Sequence, residues 1–403
     1  MWHSNDGEAR PRLMAVIGTR PEAIKVHPLA AACDEADLAL RIVATGQHGA
    51  MLQDSMASIG GRIDHDLGLG PSRDDIDGQR ERIRAAVRAL VKHHRPDMLL
   101  VQGDTTSALG AALGAADAGV PVGHVEAGLR SHDLARPWPE EGNRIAIDAL
   151  STLLFAPSDH AAANLAREPA VQGEIIVTGN TGIDALLSSR DRLRADPDLA
   201  PLDPRLDRAG RRLILVTCHR RESIGPGLEG ICDALELLAA RPDVLIGLPL
   251  HPNPAVRSTV LRRLAGHPNV ILTEPLDYLR MIRAMERAHL ILTDSGGLQE
   301  EAPALGRPAL VLRDVTERPE AVATGSLRLV GTDPHRIMAE ASRLLDDPDA
   351  HAAMARPAFP YGQGDAARRI AYAIARHFGV SATPAILPLD PPKAEPSLLS
   401  GGL

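Results

Sequence analysis

Short apolar runs alternate with helical patterns along most of the chain, and this rhythm restricts the fold more than any other feature. Leu13–Ile17, Leu40–Ala44, Met98–Val101, Val120–His124, Leu153–Ala156 and Ile175–Thr178 read as strands, with helical stretches between them, clearest over Gly78–His93. Strand–helix–strand repetition of this kind builds a parallel sheet covered by helices. Leu213–Thr217, Val244–Leu248, Val270–Leu272, Leu290–Thr293 and Ala309–Leu312 repeat the pattern in the second half. Arg190–Arg211, rich in Asp, Pro and Arg with little apolar periodicity, reads as the linker. The expectation is an α/β chain of two doubly wound domains with a cleft between them. Asp365–Phe378 reads as a last helix and the Pro-rich stretch after it as a loosely packed tail.

Composition removes several function classes. Aromatic residues make up only 2% of 403 residues, so the core must be Leu, Ile, Val and Ala, and a stacking platform for single-stranded nucleic acid is excluded. A net charge of −8 lacks the footprint of a nucleic-acid binder, although a local basic pocket remains possible. Cys33, Cys218 and Cys232 show neither metal nor disulfide spacing, which suits a reducing compartment. The first residues have no apolar segment of signal-peptide type, and no run approaches the roughly 20 apolar residues of a membrane span. A cytoplasmic protein with no nucleic-acid or membrane partner is expected.

In parallel α/β sheets ligands bind beyond the carboxyl ends of the strands. The residues that follow each apolar run are therefore the candidates. They are Gly18-Thr19-Arg20-Pro21-Glu22 with Lys25, Gln102-Gly103-Asp104-Thr105-Thr106, Glu126-Ala127-Gly128-Leu129-Arg130, Cys218-His219-Arg220-Arg221-Glu222, and Asp294-Ser295-Gly296-Gly297 with Gln299-Glu300-Glu301. One polar loop is usually a cap or a solvated turn; five at strand ends favour a ligand cleft. Ser295-Gly296-Gly297 at a helix start offers close backbone approach and unpaired N–H groups to a phosphate or diphosphate. Arg20, Lys25, His219 and Arg318 could add positive charge. Asp104, Glu126 and one of the neighbours Glu140 and Glu141 could act as general acid and base; neighbours on a helix diverge by about 100°, so at most one faces a site. His124, inside an apolar run, reads as a hydrogen-bonded core residue, and His93-His94 as a helix end. No GxGxxG, Walker or HExxH pattern points to a dinucleotide, ATP hydrolysis or a metal.

The strings Gly18-Thr19-Arg20-Pro21-Glu22-Ala23-Ile24-Lys25, Gly103-Asp104-Thr105-Thr106, Gly123-His124-Val125-Glu126-Ala127-Gly128-Leu129-Arg130 and Pro137-Trp138-Pro139-Glu140-Glu141 form an ordered series. It continues with Thr178-Gly179-Asn180-Thr181, His219-Arg220-Arg221-Glu222-Ser223, Thr293 to Pro303, and Thr316-Glu317-Arg318-Pro319-Glu320. The series resembles the non-hydrolysing UDP-N-acetylglucosamine 2-epimerase family from about Leu13 to about Phe378. That resemblance implies the GT-B fold, two Rossmann-like domains at residues 11–185 and 205–362, with a helix at 364–378 returning to the first and a flexible tail at 379–403. It further implies interconversion of UDP-GlcNAc and UDP-ManNAc, by anti elimination of UDP to 2-acetamidoglucal and re-addition. No cofactor and no metal are implied, and a homodimer is.

By position Asp104, Glu126, Glu140 and His219 match the family's catalytic set, leaving open which carboxylate is base and which acid. Arg20, Lys25, Asp104, Glu126, Arg144, His219, Leu276, Met281, Ser295, Gly296, Gly297, Glu301 and Arg318 match its substrate contacts. Gln47, Arg73 and His251 resemble the set that binds a second UDP-GlcNAc in regulated members, but Ala50 replaces a polar residue, which speaks against activation by substrate. Met281 stands where members commonly place an aromatic beside uracil, which implies a softer thioether surface for the base. The alternatives are a hydrolysing 2-epimerase that releases ManNAc and UDP, a GT-B glycosyltransferase, and a non-catalytic UDP-sugar sensor.

Overall fold

The computed structural model describes residues 10–46, 49–70, 75–207, 210–218 and 224–380. The chain runs β1 (Arg12–Ile17), α1 (Arg20–Glu35), β2 (Ala39–Ala44), α2 (Gly49–Ser58), β3 (His65–Asp66), α3 (Ile76–His94), β4 (Met98–Gln102), α4 (Thr106–Ala116), β5 (Val122–Val125), α5 (Glu140–Leu150), β6 (Leu153–Ala156), α6 (Asp159–Ala166), β7 (Glu174–Val177) and α7 (Thr181–Ala195). It continues with β8 (Arg212–Thr217), α8 (Pro226–Ala239), β9 (Val244–Pro249), α9 (Pro254–Leu264), β10 (Val270–Thr273), α10 (Tyr278–Arg287), β11 (Leu290–Thr293), α11 (Gly296–Ala304) and β12 (Ala309–Val311). The last elements are α12 (Pro319–Ala323), β13 (Leu327–Leu329), α13 (Pro334–Asp346), α14 (Pro348–Met354) and α15 (Ala366–His377).

Two compact units result. The first holds the described residues up to 53, 62–181 and those from 365 onward; the second holds 54–61 and 182–364. The first is a parallel sheet in the order β3-β2-β1-β4-β5-β6-β7, and the second a parallel sheet in the order β10-β9-β8-β11-β12-β13. Each is a Rossmann-like, doubly wound layer, and together they give the chain the GT-B class of architecture. In each sheet the strand order reverses beside the first strand, between β1 and β4 and between β8 and β11. Loops diverge at such a switch point and leave a crevice at the carboxyl ends of the strands.

The scarcity of rings is met by close backbone packing. Helix α4 is almost wholly buried, and a Cβ at its Gly110 or Gly114 would lie 2.9 Å from the Arg80 carbonyl oxygen or 2.6 Å from that of Arg84. Small residues thus let α3 lie directly on α4, where the Ile83, Val87 and Val91 side chains complete the core. The second unit packs Ile214, Val216, Ile231, Leu235, Ile246 and Leu292 with their neighbours in one apolar cluster. All three thiols are buried and free. Helix α15 lies on α1, with Arg368 paired to Glu35 at 3.1 Å and Arg376 to Glu174 on β7.

Three expectations are corrected. The strand expected at Val120–His124 lies at Val122–Val125, because Pro121 has no N–H for the ladder. The linker expected at Arg190–Arg211 begins later, since α7 continues to Ala195. The first residues of α7, through Leu186, are buried, but within Arg190–Ala195 only Leu193 is, so the last turns leave little apolar signal. Two single turns of 3-10 helix follow, at Pro197–Leu199 and Pro204–Leu206, capped by Asp196 and Asp203. Strands β3 and β13 were not expected; both are edge strands of two or three residues. The expected tail lies outside the described residues beyond Val380.

Candidate active site

The first unit carries two carboxylates on neighbouring strands. Glu126 directly follows β5 with φ +70°, a left-handed conformation unusual for a residue with a side chain. Its N–H and that of Ala127 both donate to the Phe155 carbonyl at 3.1 Å, so the chain bends sharply here. Three donors converge on Glu126 Oε2: Lys25 Nζ from α1, Gln102 Nε2 at 3.1 Å, and Asn180 Nδ2 at 2.9 Å. Asp104, after β4, is more open, with 27% of its side chain exposed. Its Oδ2 accepts from Arg144 Nη2, and its carbonyl from Asn143 Nδ2 at 2.8 Å.

Helix α5 separates the roles of two adjacent acids. Glu141 is buried and accepts from the Ser131 and His132 N–H groups at 3.0 and 2.9 Å and from Arg144 Nη1 at 2.6 Å. It is therefore committed to holding the loop before α5 and orienting Arg144. Glu140 diverges from it, and its Oε2 is buried without a hydrogen-bonding partner among the described residues.

The loop after β1 is tied to the loop after β4 by Glu22. This buried carboxylate accepts from the Gly18 and Thr19 N–H groups at 2.9 and 2.6 Å and from Thr105 Oγ1 at 2.6 Å. Burial pushes its carboxyl above the ordinary range, against the pull of those hydrogen bonds. Arg20, the first residue of α1, is exposed. His124 is fully buried and hydrogen-bonded.

The second unit presents a helix start with its own cation. Helix α11 begins at Gly296, and its N-cap Ser295 makes no side-chain capping bond. The Arg318 guanidinium lies against Gly296, where a Cβ would meet its Nη1 at 2.9 Å and its Cζ at 3.0 Å. Arg318 is fixed by Glu300 at 2.7 Å and by Glu317, which also accepts from Arg313 Nη1 at 3.0 Å. Gln299 braces the loop by donating to the Ser295 carbonyl at 3.2 Å and accepting from Thr316 Oγ1 at 2.6 Å. Glu301 accepts from the buried Tyr278 hydroxyl at 3.2 Å; burial, then the Glu301 charge, pushes that phenol well up. Leu276 and Met281, before and on α10, are half-buried. His251 is also half-buried and accepts from the Asn253 N–H at 3.2 Å.

A family model described as UDP-N-acetylglucosamine 2-epimerase matches residues 31–375. The chain belongs to the UDP-N-acetylglucosamine 2-epimerase family. It is 47% identical over 373 residues to a probable UDP-N-acetylglucosamine 2-epimerase of Ralstonia solanacearum, covering 91% of this chain and 99% of that one. Identity to the UDP-N-acetylglucosamine 2-epimerase of Escherichia coli K12 is 44% over 369 residues, 90% and 98% of the two chains. The crystal structure of the Neisseria meningitidis UDP-GlcNAc 2-epimerase bound to UDP-GlcNAc superposes with a TM-score of 0.85 at 38% identity, over 91% of this chain and 100% of that one.

In the first unit of this family member Asp104 pairs with Arg144 and Glu126 with Lys25; in the second Gly296 lies against Arg318, and Glu301 on the same helix is held by Tyr278. His219, Gln47 and Arg73 lie outside the described residues. Sequence reading assigned no role to Gln102, Asn180, Glu22 or Tyr278, which hold the candidate residues in place. Only the strand-end position of Gln102 and Glu22 and the motif around Asn180 carried a signal for them. Among the described residues no group of three His, Cys, Asp or Glu is arranged to hold a metal, and no helix is long and apolar enough to cross a membrane.

Proposed function

We propose that this enzyme interconverts UDP-GlcNAc and UDP-ManNAc without releasing the free sugar. Removing the weakly acidic C2 proton requires a base, and breaking the C1–O bond to the diphosphate supplies the driving charge separation at C1. The electron pair of C2–H forms the C1–C2 double bond of 2-acetamidoglucal while the C1–O pair leaves on UDP. Return of a proton to the opposite face of C2, with UDP oxygen re-adding at C1, gives the epimer. Asp104, Glu126, Glu140 and His219 are the proposed proton-transfer set. Arg20, Lys25, Ser295, Gly296, Gly297, Glu301 and Arg318 are the proposed UDP contacts, with Leu276 and Met281 beside the base.

The observation that carries this reading is the state of Glu126. It is held in a left-handed turn by three donors on one oxygen, at the strand end beside a second carboxylate already paired with Arg144. A passive sensor has no need of two fixed, adjacent carboxylates of this kind. Incubation with UDP-GlcNAc followed by phosphorus and proton NMR tests the proposal. UDP-ManNAc should approach a constant ratio with UDP-GlcNAc. Stoichiometric accumulation of UDP and free ManNAc would replace it with the hydrolysing reaction, and turnover only with an added acceptor with glycosyl transfer.

A further inference from the structure

His124 stands on β5, two residues before Glu126, and is wholly buried. Its Nε2 lies 2.8 Å from the Gly103 carbonyl oxygen, which can only accept, so Nε2 donates. Its Nδ1 lies 2.6 Å from Asp148 Oδ1 on α5. The other oxygen of Asp148 accepts from Arg130 Nη2 at 2.6 Å, and Arg130 in turn donates to Glu168 through Nε at 2.6 Å and Nη2 at 2.8 Å. Burial acts to raise the Asp148 carboxyl, but the His124 and Arg130 charges and hydrogen bonds outweigh it and hold it below the usual carboxylate range. A buried ionic chain of this kind is seldom a better stabiliser than apolar residues of the same volume. What it does supply is direction, because the ring cannot turn without leaving Asp148.

The peptide that it directs is the one before Asp104. Gly103 has φ +69°, and its N–H donates to the Val125 carbonyl at 3.0 Å. With the Gly103 carbonyl held by His124 and the Asp104 carbonyl held by Asn143, both ends of the turn are fixed. We propose that His124, oriented by Asp148, is a positioning residue that sets the direction of the Asp104 side chain through the Gly103 carbonyl. One ring then keeps the two candidate carboxylates, on the loops after β4 and β5, in fixed relation. This rests on the role proposed above for Asp104.

The test uses the full chain carrying His124→Phe, His124→Gln or Asp148→Leu. Phe offers no donor to Gly103, whereas the Gln amide reaches the Nε2 position. His124→Phe should lower kcat for UDP-GlcNAc by roughly 10- to 100-fold, the scale of an ångström-sized misplacement, with UDP affinity within about twofold of wild type. His124→Gln should recover most of that loss, and the crystal structure of the Phe variant should show the Asp104–Arg144 pair opened. An unchanged kcat, or a pair still closed, overturns the proposal, as does a melting point lowered equally in Phe and Gln with kcat intact. Should the Phe variant fail to fold, Asp148→Leu keeps about the volume and offers the ring no partner; it should cost kcat about fivefold or more, and no loss overturns the proposal. A wild-type enzyme inactive on UDP-GlcNAc would remove the functional reading alone, because the variant crystal structures still decide the clamp.

Discussion

Gly296→Ala probes the proposed diphosphate site with a single methyl group. The new Cβ would sit 2.9, 3.0 and 3.1 Å from Nη1, Cζ and Nη2 of Arg318, several tenths of an ångström inside normal contact. An exposed arginine would swing away at little cost. Arg318 cannot, because Glu300 holds its Nε at 2.7 Å and Glu317 holds its Nη1, all within a buried cluster. Either the helix start or the guanidinium must move, an overpacking cost of about 1–3 kcal/mol. Where that strain falls on the bound state, UDP affinity drops roughly fivefold to a hundredfold. The neighbouring Gly297 is the control for steric strain, since a Cβ there would come no nearer than 4.0 Å to Ser295 Oγ. Titration calorimetry with UDP and thermal melts of both variants read the effect. Gly296→Ala should bind UDP more weakly and melt lower, while Gly297→Ala should melt at or above wild type, as a glycine-to-alanine change in a helix usually does. Wild-type UDP affinity and melting in Gly296→Ala would refute the reasoning about Arg318.

Three other substitutions test separate parts of the structure. Asp104→Asn and Glu126→Gln should each reduce kcat by about 10²- to 10⁴-fold in steady-state assays while UDP still binds, and near-normal turnover in either would remove that residue from the proton-transfer set. His289 stacks on His351 with ring centroids 3.8 Å apart, and burial, then the His351 and Arg212 charges, lower it to about 4 from its usual 6.5. As pH falls below about 6.5 the unfolded chain takes up this proton before the folded one, so stability drops until about pH 4 and no further from this group. His289→Phe should therefore flatten the melting-point profile between those values, and parallel profiles would count against it.

What the sequence made legible follows the physics of each feature. Strands buried on both faces, such as β4 and β11, show as continuous apolar runs, and charged loops stand out where those runs stop. His65–Asp66 and Leu327–Leu329 left no such mark, being short edge strands. The end of helix α7 hid inside a polar stretch because only Leu193 of its last six residues is buried. Asp104 and Glu126 were visible because strand ends present them. The residues that fix them were not, since Asn180 reaches Glu126 across 54 positions and Asn143 reaches Asp104 across 39. Asp148 is an acid on the buried face of α5, and nothing local in the sequence pairs it with His124.

The central claim is proton exchange at C2 through an unsaturated sugar. Proton NMR of UDP-GlcNAc turned over in heavy water measures this directly. The account requires UDP-ManNAc that carries deuterium at C2 from its first appearance, with UDP-GlcNAc gaining deuterium as the reaction reverses. UDP-ManNAc that keeps its C2 proton, or a nucleotide sugar that never exchanges there, would contradict it.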